Sequence, residues 1–111
     1  MTKHRKFHVP IWDVYLHVVV GRDPLAARVK LNRIFGDWAP DDRFEALASW
    51  NGQHFGVFFA PKPPMAIVAH EVFHVTHRIL ERADANFDKD HHEQATYLHG
   101  WLMERVWRVT R

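Results

Sequence analysis

Between Ile11 and Val20 the chain alternates. Trp12, Val14, Leu16, Val18 and Val20 interleave with Ile11, Asp13, Tyr15, His17 and Val19. A period of two with β-branched residues predicts a strand with one more polar face, and Gly21 ends it. Asp23-Pro24 then supplies an N-cap and a proline at the first helical position. This predicts a helix to about Phe35, stopped by Gly36. Asp37 to Asp42, with Pro40, reads as a loop. Phe44–Trp50 and Gln53–Ala60 are strand-like runs around Asn51-Gly52, a turn pair that tolerates positive φ and predicts a hairpin. Pro61, Pro63 and Pro64 stop the sheet.

Two helices follow. The first is expected from about Pro64 to Arg82. Stepping 100° per residue places Val68, Val72, Val75, Ile79, Leu80, Met65 and Phe73 on a broad core face. His70, His74, His77 and Glu81 fall together on the opposite side. Ala83 to Asp90 reads as a connecting loop. Its alternating Asp84, Asn86, Asp88 and Asp90 start like a calcium loop, but Lys89 stands at the required glycine and Ala95 at the required glutamate. The last helix is expected from about His91 to Val109, with Leu98, Leu102, Val106 and Val109 as its core stripe. Glu93, Tyr97, Gly100, Trp101 and Glu104 lie on an adjacent face.

These elements predict a single α+β domain over residues 1–111. Three helices pack on a small three-stranded sheet, antiparallel or mixed, in the order β-α-β-β-α-α. Hydrophobic content of 47 % and aromatic content of 14 % fit a packed core. The net charge is only +2. Basic residues are scattered apart from Lys3-His4-Arg5-Lys6, so no nucleic-acid partner is expected. No run is long and apolar enough to span a membrane. Asp13 and His17 break the one stretch that looks like a signal peptide, so the expected location is the cytoplasm. Without cysteine there are no disulfides or thiolate ligands.

The chemistry-bearing stretch is His70-Glu71-Val72-Phe73-His74, an H-E-x-x-H string. Residues four apart share one helix face, so His70 and His74 can offer two imidazole nitrogens to one metal ion. Glu71 lies about 100° round the helix, where its carboxylate can take a proton from water at that ion. With ten histidines in the chain, the string arises by chance in roughly one shuffled sequence in twenty-five, so a third ligand is required.

With Glu93 in the next helix, 19 residues after His74, the pattern resembles the gluzincin zinc metallopeptidases. His92-Glu93-Gln94-Ala95 is similar to that family's short glutamate signature, with His92 in place of asparagine. The size resembles the stand-alone metallopeptidase-like proteins of bacterial and phage genomes. The resemblance implies a zincin-like fold, zinc held by His70, His74 and Glu93, and Glu71 as general base. It also implies a peptide or protein substrate, cleaved by an endopeptidase and paired along the strand Gln53–Ala60. Glu93 has a second reading, as the partner of Asp90 in a capping box. Tyr97, one turn on, is either an oxyanion donor or a packed tyrosine. His77 is an assisting residue, a replacement ligand or a solvated histidine. Leu80 stands where metzincins and a group of RNA-processing hydrolases carry a further histidine, which excludes both. His17, His54, His91, His92 and His99 read as surface or strand histidines. The rival function is a protein-binding module with a structural or vestigial metal.

Overall fold

A computed structural model describes residues 2–36, 46–85 and 92–111. The elements are β1 (Thr2–Val9), β2 (Val14–Gly21), α1 (Pro24–Phe35), β3 (Ala46–Asn51), β4 (His54–Phe59), α2 (Met65–Arg82) and α3 (His92–Thr110). The sheet is mixed and four-stranded, in the order β1-β2-β4-β3. β1 pairs antiparallel with β2, β2 parallel with β4, and β3 antiparallel with β4. The three-stranded expectation is therefore corrected by one strand. β1 was hidden because it lies at the sheet edge and carries Lys3, His4, Arg5, Lys6 and His8. A strand with both faces largely exposed shows no apolar alternation.

The sheet separates two cores. Leu16, Val18 and Val20 of β2, with Phe55, Val57 and Phe59 of β4, pack against Val68, Val72, Val75 and Ile79 of α2 and against Leu98, Leu102 and Val106 of α3. The alternate residues Val19 and Phe58 meet Ala27, Leu31 and Phe35 of α1 on the other face. β2 and β4 are buried on both sides, as expected of central parallel neighbours with helices above and below.

Local signals explain most boundaries. The Asp23 carboxylate accepts from Leu25 N–H at 2.9 Å, and Gly36 leaves α1 at φ 77°. The hairpin lies where Asn-Gly predicted it, but one residue later. Asn51 pairs with His54, so the loop is Gly52-Gln53, and only Gly52 has positive φ. That is the pattern with glycine at the first central position. Along α2, Val68, Val72, Val75, Ile79 and Leu80 are buried as expected, but Phe73 is 52 % exposed and Met65 48 %. Phe73 lies at the margin of the core arc, whereas Met65 lies in its middle but is the first residue of α2. The expected loops 37–42 and 86–90, and the proposed cap Asp90, lie outside the described residues. Among those described, no helix is long and apolar enough to cross a membrane.

Candidate metal centre

α2 presents His70 and His74 one turn apart on its outward face. Their Nε2 atoms are 3.3 Å apart, and the rings meet edge to face at 78°. Glu71 points to a different side of the helix and is only 8 % exposed. One ligand atom from each of these three residues lies within 4.8 Å of the other two. A hydrogen bond gives such an N···N spacing, and so does a shared ion. Two nitrogens about 2.0–2.1 Å from a tetrahedral zinc are about 3.3–3.4 Å apart. The imidazole pair thus fits one edge of a zinc tetrahedron.

Glu93 does not join this cluster. α2 and α3 do run antiparallel. Thr76 Oγ1 meets His99 Nδ1 at 3.0 Å, and Glu93 lies beside Ala83, Asp84 and Ala85 at the far end of α2. From the Thr76–His99 crossing, Glu93 lies six residues one way and His70 six residues the other. At 1.5 Å per residue the two are roughly 18 Å apart along the helices, and His74 and Glu93 roughly 12 Å. The ligand set expected from the gluzincin resemblance is therefore not assembled. The short connection allowed the helices to return, and their offset put the carboxylate at the wrong end. Tyr97, 79 % exposed, shares the cavity of Glu93 with Trp12, Leu98 and Trp101 and is likewise remote from His70. His77 lies one turn along the same face, with Nε2 3.9 Å from a Glu81 carboxylate oxygen, outside the cluster.

The strand expected to receive substrate is also corrected. β4, the core of Gln53–Ala60, is flanked by β2 and β3 and has no free edge. The edge strand on that side is β3. Its Trp50 ring lies under the Arg78 guanidinium at 4.4 Å, which ties β3 to the flank of α2.

A second histidine group was not legible in the sequence. His4, His17 and His54 project from adjacent strands on the α1 face. His4 Nε2 is 3.0 Å from His17 Nδ1, and His17 Nε2 is 2.9 Å from His54 Nδ1. His17 is 4 % exposed. Burial, with His4, His54 and Lys6 close by, pushes its imidazole down to about 4. Burial, then Lys30, Lys6 and Arg5, lowers His4. The contacts run in a line, so the arrangement is a hydrogen-bonded chain. Strand periodicity alone placed each histidine on a face, but bringing the three together needed the strand order.

The chain matches no family model, no curated protein and no solved structure. The functional reading therefore rests on the residues themselves.

Proposed function

We propose that His70 and His74 hold a zinc ion and that Glu71 is the general base of a metal-dependent peptide hydrolase. The observation that carries this reading is the 3.3 Å Nε2–Nε2 separation beside a largely buried carboxylate. Imidazole nitrogens suit zinc, and the two histidines fill two of its positions; with Glu71 kept as the base, the third protein ligand usual in a catalytic site is not among the described residues. Zinc held there supplies Lewis acidity to an amide carbonyl and acidifies water. Glu71 would accept a proton from the attacking water and return it to the departing amine. Met65, Ile67 and Phe73 are exposed on the same helix and offer apolar contact for a peptide's side chains. The antiparallel edge strand beside the H-E-x-x-H helix is in keeping with a zincin-like arrangement, and β3 is the edge strand on that side along which an extended substrate would pair. A cytoplasmic location goes with this reading.

The test is metal analysis of tag-free protein together with a peptide-library cleavage assay. Wild type is expected to bind about one zinc per chain and to cleave. Glu71→Gln is expected to keep the metal and lose cleavage, and His70→Ala to lose both. Cleavage by metal-free protein, or undiminished cleavage by Glu71→Gln, would overturn the assignment. The rival reading, a protein-binding module, is favoured by one observation: no donor besides Glu71 joins the pair among the described residues. It requires zinc binding without cleavage.

A further inference from the structure

The formal charge of +2 conceals a separation of charge along α3. Its first turn carries Glu93, beside Asp84. Its last turns carry Arg105 and Arg108, and these face β1. Because strand side chains alternate, Lys3, Arg5 and Phe7 point to the α3 side while His4, Lys6 and His8 point to the other. Lys3, Arg5 and Phe7 close a groove of about 590 Å3 with Arg105, Arg108 and Val109. Residues a hundred positions apart thus form one basic surface, which is why scattered charges in the sequence hid it.

Two of the cations are held in place. The Lys3 ammonium donates to the Val109 carbonyl at 3.0 Å. The Arg105 guanidinium lies 3.8 Å over the Trp101 ring. Glu104 lies 3.1 Å from Arg108 and 4.0 Å from Arg105, while the groove lining itself holds four cations and no carboxylate among the described residues. Three of the four are arginines, whose planar fork matches phosphate oxygens in pairs. Lys3 and Arg5, two residues apart on one strand, are spaced by about 6.5 Å. Phe7 and Val109 give the groove an apolar wall for sugars or bases.

We propose that the groove between β1 and the C-terminal end of α3 binds the phosphate backbone of single-stranded nucleic acid. Bases are free to lie against the Phe7–Val109 wall only where they are unpaired, which favours a single strand over a duplex. The interaction is independent of the histidine pair on α2.

The test is fluorescence anisotropy of full-length, tag-free protein with a labelled oligothymidylate, with and without EDTA. Binding is expected to be unaffected by EDTA. About three neutralised phosphates should give a slope of log K against log salt near −2, an approximately tenfold weakening from about 50 to about 150 mM salt. The double reversal Arg105→Glu/Arg108→Glu should weaken binding at least about tenfold. Lys30→Glu, on α1 at the other face of the sheet, should leave it unchanged. Should the double variant fail to fold, Arg5→Glu on the exposed edge strand should still cost about threefold. Three results would overturn the proposal: no binding at low salt, binding indifferent to the groove reversals, or equal binding to polyglutamate or to phosphatidylserine vesicles.

Discussion

Thr76 Oγ1 is 2.9 Å from the Val72 carbonyl and 3.0 Å from His99 Nδ1. A hydroxyl has one hydrogen to give. With that hydrogen on Val72 O, the His99 ring donates from Nδ1, which fixes its tautomer. This contact marks where α2 crosses α3, beside the apolar packing of the two helices.

Removing it should therefore be costly. In Thr76→Val the half-buried His99 N–H loses its acceptor, and a loss of about 1–2 kcal/mol is expected. Urea unfolding followed by tryptophan fluorescence measures it. An unchanged midpoint would show that the contact contributes nothing to the helix pairing.

The histidine pair makes a sharp prediction about metal. Zinc should raise the melting temperature of wild type by mass action. His70→Ala or His74→Ala should abolish that shift, and Glu93→Ala should preserve it. A zinc response that vanished with Glu93→Ala would mean that Glu93 reaches the site after all. Differential scanning fluorimetry with and without a chelator gives the comparison.

The line of His4, His17 and His54 makes stability depend on pH. The His17 pKa is lowered from 6.5 to about 4 on folding, first by burial and then by His4, His54 and Lys6. Between those values the unfolded chain binds the extra proton, so stability rises with pH through the window. The contribution is complete above about pH 6.5 and is lost as pH falls towards 4, by at most about 3 kcal/mol. His4, also lowered, acts in the same direction. Denaturant midpoints at pH 7.5, 5.5 and 4 should follow this slope. Replacing His17 with Phe should flatten it, and an equally steep slope in that variant would place the titration elsewhere.

Gly56 lies under α1. A Cβ built there falls 2.6 Å from Cζ of Phe35 and 3.3 Å from the His17 carbonyl oxygen. Gly56→Ala should destabilise by about 1–3 kcal/mol through overpacking. Trimming the ring in Gly56→Ala/Phe35→Leu should cost less than the two single changes added together. Strict additivity in a double-mutant cycle would show that the contact is not the cause.

Elements with a strong period or a dedicated boundary residue were legible from sequence. β2, α1 with Asp23 and Gly36, the hairpin at Gly52, and the buried stripes of α2 and α3 all belong here. β1 was not, because an edge strand with polar residues on both faces carries no alternating signal. The site divides along similar lines. His70, Glu71 and His74 lie on one helix, so helical geometry alone set their relationship. Glu93 depended on how far one helix slides along another, and that offset comes from contacts such as Thr76–His99 that no spacing rule encodes. The basic groove and the histidine line depended on strand order in the same way.

Both imidazoles of the candidate centre project from a single turn of α2. An ion held there clasps neighbouring rungs of one helix and sutures no separate parts of the molecule. Chelation should therefore leave the sheet and the α2–α3 pairing intact. On the proposed reading the chain would lose and regain zinc without refolding, as suits an ion kept for reactivity rather than for holding the fold together.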